Sequence, residues 1–426
     1  MSAKNPMWFS GFYFVTSGIL LAMAPATRAQ LQFSSPTVYP VGTWPDRVVV
    51  ADFNGDGKQD LAVLNQGSGT VSVLLGNGDG TVESQRSFGV GSTPVFVAVG
   101  DFNGDHKLDL AVANGSANTV SILLGNGDGT FQLPLQHNTD ISADYVAVAD
   151  FNNDKKPDLL VSAIPVGELY QGGISVLLSN GDGSFQSPKV TTVTSFEGPT
   201  PYVAIADFNG DGKLDVATGN GVVYQTFNYS VAGNVIVLPG NGDGTFQSPV
   251  VSRVNFDPQY LITGDFNGDG KTDLAVVANL YEACGFPHHF CSYEVVATLL
   301  GSGDATFSVS ATRYLPHCNA YPVCPFTTRN PFAANVAVAD LNKDGKLDLI
   351  LPVAVPNPSI VGGQTNGIWV FPGNGDGTFQ AVEKFNLATA PSFLAIGDFN
   401  RDALLDLVVS NNSANDISVL LNTTPH

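Results

Sequence analysis

The chain has 426 residues, of which 43% are hydrophobic and 13% charged; 38 acidic side chains against 18 basic ones give a formal net charge of −20. No basic patch is present to neutralise phosphates, which excludes nucleic acid as a partner. After the first 29 residues no segment approaches the apolar length of a membrane span.

In chain order, residues 1–29 carry the pattern of a secretory signal peptide. Lys4 gives a positive start, Met7 to Ala24 is largely apolar, and Thr27-Arg28-Ala29 places small residues where cleavage before Gln30 requires them. An uncleaved anchor helix is the alternative. Loss of Lys4 and Arg28 takes the net charge from −20 to −22. Residues Leu31 to Val41 resemble the last strand of the later units, such as Phe246-Gln247-Ser248-Pro249-Val250-Val251.

The string Ala51-Asp52-Phe53-Asn54-Gly55-Asp56-Gly57-Lys58-Gln59-Asp60-Leu61 follows, and it organises the rest. Near copies begin at Asp52, Asp101, Asp150, Asp207, Asp265, Asp340 and Asp398, spaced 49, 49, 57, 58, 75 and 58 residues apart. A unit of that size cannot bury a core alone and must stack on its neighbours. Oxygen side chains at the first, third, fifth and ninth loop positions, with the seventh offering a carbonyl, are what a hard cation such as calcium takes from a sharply turned segment. The sixth position is glycine in four copies, and its freedom at positive φ lets the chain wrap an ion. An EF-hand needs Glu at the twelfth position; Val63, Val112, Thr218, Val276, Leu351 and Val409 stand there instead. The flanks alternate with period two, so the loop joins two strands. A hydrogen-bonded Asx turn explains one or two such strings, not seven.

Within each unit four short strands are expected, for example Val95 to Phe102, Leu108 to Ala113, Thr119 to Leu124 and Phe131 to Gln136, and four-stranded units around an axis are propeller blades. The residue before each loop is small: Ala51, Gly100, Ala149, Ala206, Gly264, Ala339 or Gly397, as suits an innermost strand. A second string, Gly76-Asn77-Gly78-Asp79-Gly80-Thr81, recurs with variations at Gly125, Ser179, Gly240, Gly301 and Gly373 and reads as a hairpin turn. The last unit ends at its third strand, Ile417 to Leu421, so the N-terminal segment is expected to supply the fourth and hide two sheet edges.

These strings resemble the FG-GAP or VCBS repeat and are similar to the repeats of the integrin α-subunit propeller. The resemblance implies an all-β, seven-bladed propeller over residues 30–426 with up to seven calcium ions. Carried over position by position, it implies as ligands Asp52, Asn54, Asp56, Lys58 and Asp60 in the first blade, and Asp101, Asn103, Asp105, Lys107 and Asp109 in the second. The third blade offers Asp150, Asn152, Asp154, Lys156 and Asp158, and the fourth Asp207, Asn209, Asp211, Lys213 and Asp215. Asp265, Asn267, Asp269, Lys271 and Asp273 follow in the fifth, and Asp340, Asn342, Asp344, Lys346 and Asp348 in the sixth. The seventh has Asp398, Asn400, Asp402, Leu404 and Asp406. His106, Lys155 and Ala403 replace the sixth-position glycine, at a cost at positive φ.

Loops joining the second and third strands, and blade to blade, belong on the face opposite the calcium loops. They are short in blades 1, 2 and 7 and long at Ile164 to Gly173, Gly221 to Gly233, Leu280 to Glu294, Val353 to Gly367 and Thr312 to Ala334. Binding sites tend to be built on such loops. All four cysteines are there, and an exported chain favours disulfides Cys284 to Cys291 and Cys318 to Cys324, although three pairings are possible. A zinc site drawing on Cys284, His288, His289, Cys291 or His317 is the alternative. Tyr281, Phe286, Phe290 and Tyr321 offer an aromatic surface for a glycan or a protein, against the plainer reading that they pack on one another. No Gly-x-Ser-x-Gly, His-Glu-x-x-His or P-loop string occurs. The expectation is a secreted, periplasmic or cell-surface binding and adhesion module recognising glycan or protein near blades 4 to 6. A polysaccharide lyase or hydrolase, or a structural envelope component, is the alternative.

Overall fold

The computed structural model describes residues 30–163, 172–193, 199–220, 233–283, 290–315, 335–355 and 365–425, with backbone alone at 116, 172, 199–201, 281–283 and 290–293. The expected signal peptide, residues 1–29, lies outside them. Seven separate four-stranded antiparallel sheets make up the described chain. In blade 1 the strands are Pro45–Ala51, Asp60–Asn65, Thr70–Leu74 and Arg86–Gly89, paired in sequence order from the innermost outward. Blades 2 to 6 repeat that order. Blade 7 takes Phe393–Gly397, Asp406–Asn411 and Asp416–Leu420 from the C-terminus and Thr37–Pro40 from the N-terminus. Thr37 opposes Val419 and Pro40 opposes Asp416, so the ring is closed by the strand that the sequence pattern offered.

Seven buried clusters hold the blades together, each spanning one seam. The cluster that joins the ends packs Val48, Leu61 and Val63 of blade 1 against Phe393, Val408 and Ile417 of blade 7. Second strands are covered on both faces by neighbouring blades, so Asp60–Asn65 and its six counterparts are sheltered from solvent. That is why they read Leu-Ala-Val-Leu or Leu-Val-Val and not as an alternating pattern: with two apolar faces, each side chain gains by leaving water.

Where glycine ends the innermost strand, at Gly100, Gly264 and Gly397, the cause is more specific than crowding at the axis. A Cβ at Gly100 would stand 2.9 Å from Cε1 of Phe102 and 3.3 Å from Cγ1 of Val148 in the next blade. The loop phenylalanine folds back against its own strand and leaves no room.

Two expectations on element limits are corrected. The outer strand of blade 2 is Leu135–Asn138, later than expected, because Phe131 is held by an isolated bridge to Gly125 in the turn. In blade 5 the segment Leu280 to Glu294, expected as loop, is mostly hairpin: strands Asp273–Ala283 and Phe290–Gly301 stay paired as far as Ala283 opposite Phe290.

Candidate functional site

Each oxygen-rich loop is a tight turn wound on its first aspartate. In blade 1 the Asp52 carboxylate accepts hydrogen bonds from the backbone N–H of Gly55 (2.8 Å), Asp56 (3.2 Å) and Gly57 (2.8 Å). Asn54 Oδ1 accepts from Asp56 N–H at 2.9 Å, and Asp56 Oδ1 from Lys58 N–H at 3.0 Å. The same winding returns on Asp101, Asp150, Asp207, Asp265, Asp340 and Asp398. It needs positive φ at the fourth and the sixth positions. His106 (63°), Lys155 (66°) and Ala403 (66°) adopt it at the sixth; Asn153 (58°), Lys343 (57°) and Arg401 (62°) adopt it at the fourth, a requirement the sequence reading overlooked. The third and seventh loops thus carry two strained residues each.

The ninth-position aspartate has a second job that sequence alone did not assign. Asp60 is fully buried; its Oδ2 accepts from Phe53 N–H at 2.9 Å and its Oδ1 from Gly76 N–H at 2.7 Å. Asp109, Asp158, Asp215, Asp273, Asp348 and Asp406 do the same, the last with Asn422 in place of the turn residue. One carboxylate thereby bolts the loop between strands one and two to the turn between strands three and four. Burial pushes the carboxyls of Asp109 and Asp406 up to about 6, and the neighbouring loop carboxylates add to the rise.

The loops also clasp the next blade. The carbonyl of Phe53 accepts from Gly129 N–H of blade 2 (3.2 Å), that of Phe102 from Gly183 N–H of blade 3 (2.9 Å), and that of Phe399 from Gly80 N–H of blade 1 (2.9 Å). At the seam between blades 6 and 7, Asn422 Nδ2 donates to the Leu341 carbonyl at 2.9 Å. The Asn-Gly-Asp-Gly strings are also tied internally: Asp79 Oδ1 accepts from Thr81 N–H (3.0 Å) and Oγ1–H (2.6 Å), which holds its carboxyl below the usual range.

For a metal the donor chemistry fits a hard cation: carboxylate and amide oxygens plus a backbone carbonyl in one short turn, with no sulfur or imidazole from the loop's ligand positions. The lysine that gives this carbonyl also sends its ammonium to the fifth-position aspartate, at 2.9 Å between Lys58 and Asp56 and 3.4 Å between Lys107 and Asp105. Among the described residues no three His, Cys, Asp or Glu side chains are gathered into a ready-made metal group; the loop oxygens are turned onto backbone N–H donors. The seventh loop differs in kind, since Leu404 is buried and brings no charge.

On the opposite face the sequence reading missed the channel mouth. Four residues before each small inner residue stand Arg47, Phe96, Tyr145, Tyr202, Tyr260, Asn335 and Phe393. The Arg47 guanidinium carbon lies 4.9 Å from the Phe393 ring centre and 5.4 Å from that of Phe96, and Nη2 donates to Tyr202 Oη at 2.7 Å. Asp46 pairs with Arg47 at 3.2 Å. Tyr145 and Phe96 (4.3 Å) and Tyr202 and Tyr260 (4.7 Å) continue the ring of aromatics. Burial pushes the Tyr145 hydroxyl up to about 12 and that of Tyr260 higher still. The layer plugs the axis where the innermost strands begin. Register shifts at Pro45/Arg47, Pro94/Phe96 and Pro258/Tyr260 accompany it. Counting back a fixed distance from Ala51 and its equivalents would have found this column.

Of the expected binding and disulfide residues, Cys284, Phe286, Cys318, Tyr321 and Cys324 lie outside the described residues. Tyr281, Phe290 and Cys291 are placed by backbone only, on the two arms of the blade 5 hairpin, with Tyr281 opposite Ser292 and Cys291 opposite Glu282.

A closed ring of four-stranded blades, each with an Asx-rich loop after its first strand and six of the seven with a glycine turn after the third, defines a repeat propeller. The FG-GAP-like repeat matches residues 52–112, 101–161, 164–218 and 359–409, together just over half of the chain, and the FG-GAP repeat matches 203–238. The chain belongs to the FG-GAP repeat family. No curated protein matches it. Among solved structures it is similar to BBS1N in complex with ARL6DN. The crystal soaked with mercury gives a TM-score of 0.51 at 13% identity, and the one soaked with lead 0.54 at 14%. In both, 94% of this chain and 98% of that chain are covered. At such identity the likeness is one of fold.

Proposed function

We propose that this protein is an exported, calcium-stabilised binding module that recognises a macromolecular partner, glycan or protein, on the face opposite its calcium loops. The observation that carries this reading is the division of labour between the two faces. Loops and turns on one face are committed to each other through Asp60 and its counterparts and to the next blade through Phe53 and its counterparts. The chain's long insertions are therefore left to the other face. That BBS1N, a propeller of like fold, was crystallised with the protein ARL6DN supports a partner-binding role.

Calcium would be held by the first, third and fifth side chains and the seventh carbonyl, with the ninth aspartate sharing its remaining lone pairs. Seven divalent ions would offset much of the acidity of the chain. In excess chelator the melting temperature should fall, because close carboxylates would face one another unscreened; an unchanged melting temperature refutes the calcium assignment. For the partner, the calcium-loaded chain is screened on a glycan array and an extracellular protein panel, alongside a variant with Tyr281, Phe286, Phe290 and Tyr321 changed to Ala. Loss of a specific ligand in that variant supports the site near blades 4 to 6, and a ligand bound equally by both refutes it.

A further inference from the structure

Trp44 sits in the connection that enters blade 1 from blade 7, on the face away from the calcium loops. Its backbone has φ of 53°, a region that bulky residues avoid and that the following Pro45 disfavours further. Three hydrogen bonds keep it there: Trp44 N–H donates to Asn415 Oδ1 of blade 7 at 2.9 Å, Gln66 N–H to the Trp44 carbonyl at 3.0 Å, and Gly67 N–H to the Thr43 carbonyl at 3.0 Å. The connection into blade 2 has the same φ of 53° at Thr93, ahead of Pro94. The backbone shape therefore belongs to the fold, and a small threonine satisfies it. An indole is not needed.

Nor does the indole contribute much to the core, since Trp44 is 60% exposed. It is nonetheless fixed. One side of the ring rests on Gly67, where a Cβ would stand 3.0 Å from Trp44 Cδ2, a close approach that any larger residue would push apart. The polar residues in contact with this segment, Thr43, Gln66 and Asn415, are neutral, Asn415 Oδ1 already accepting from Trp44 N–H. The nearest carboxylate along the chain, Asp46, is already paired with Arg47 at 3.2 Å.

We infer that Trp44 is a rigid stacking platform for a neutral sugar ring, forming a glycan subsite at the seam of blades 7 and 1. A pyranose with equatorial hydroxyls presents a C–H face to the free side of the indole and hydroxyls to the amides and hydroxyls around it. The ring is pre-fixed, so little side-chain freedom is lost on binding. The neutral surroundings favour an uncharged saccharide over an acidic polysaccharide or a charged peptide. This subsite is separate from the aromatic set near blades 4 to 6 and stands whether or not that set binds anything.

The test is calorimetric titration of the full calcium-loaded chain with cellohexaose, with hexagalacturonate as the charged comparison. Cellohexaose should bind, hexagalacturonate should bind more weakly, and Trp44→Ala should weaken cellohexaose by about tenfold or more while Trp44→Phe stays within about threefold. Trp44→Ala should melt as the wild type does, because the ring is mostly exposed. The fourfold alanine variant of blades 4 to 6 should bind cellohexaose unchanged. No cellohexaose binding up to about 5 mM, or equal binding by Trp44→Ala, overturns the inference. Loss only in the fourfold variant overturns it too while leaving the other site standing. A protein ligand lost in Trp44→Ala without cellohexaose binding replaces the sugar by a protein and overturns it as stated.

Discussion

Asp109→Ala isolates the bolting role of the ninth-position aspartate from any role in metal binding. The side chain is fully buried and accepts from Phe102 N–H at 2.9 Å and from Gly125 N–H at 2.7 Å. Truncation leaves two buried N–H groups without an acceptor. Each such group costs about 1–3 kcal/mol, so the loss should be about 2–6 kcal/mol even with calcium absent. The damage should travel, because the Phe102 carbonyl also receives Gly183 N–H of the next blade at 2.9 Å. Asp105→Ala in the same loop is the control: its carboxylate is exposed and accepts only Lys107 N–H at 3.0 Å and the Lys107 ammonium at 3.4 Å, so without calcium the cost should stay under about 1 kcal/mol. The assay is urea denaturation in chelator, with hydrogen exchange read at the Phe102 and Gly125 amides. Equal midpoints for the two variants, or undiminished protection of those amides, would refute the bolt.

Ala403→Gly should stabilise the apo chain by about 0.5–1 kcal/mol in the same denaturation assay, since relief of the 66° backbone exceeds the added freedom of the unfolded chain; a loss would show that the seventh loop does not hold that φ. His137 tests the seam of blades 2 and 3. Burial holds its imidazole below the ordinary range, with a hydrogen bond to the Gly183 backbone offsetting part of this. The unfolded chain then takes up the proton first, so stability is complete above about pH 6.5 and declines as pH falls below it. His137→Phe should flatten that decline in melting temperature between about pH 7 and 5, and an unchanged slope rules His137 out as its cause. Removal of residues 30–40 should expose the edge of Asp416–Leu420 and give oligomers by light scattering; a monodisperse monomer would mean that closure matters little.

The blade count, the closing strand and the two faces were legible because they rest on repeated local chemistry: the winding of Asp52 and its equivalents and the apolar second strand seven times, the glycine turn six. The requirement for positive φ at the fourth position was hidden by Gly55 and Gly104, which look like ordinary spacers until Lys343 and Arg401 adopt the same conformation. Asp60 was legible as a ligand and illegible as a bolt, because an aspartate that binds a cation and one that binds two N–H groups are the same letter. The plug around Arg47 escaped since its seven positions mix Arg, Asn, Tyr and Phe and meet only across the axis. In blade 5, Leu280 to Glu294 was read as loop throughout, whereas cross-strand pairing carries the arms to Ala283 and Phe290. Where long loops converge depends on tertiary placement, which no spacing rule encodes.

The pairing of Thr37–Pro40 with Asp416–Leu420 also fixes an order of events during synthesis. The first strand of the ring leaves the ribosome long before its only sheet partner is made, while the inner blades can each form behind it from neighbouring sequence. Until Asp416–Leu420 has been made, the chain is an open arc with two apolar flanks, from Val48 on one side and Phe393 on the other. Synthesis of Asp416–Leu420 and burial of those flanks are therefore coupled. A prematurely terminated chain remains recognisable as incomplete however well its finished blades have folded.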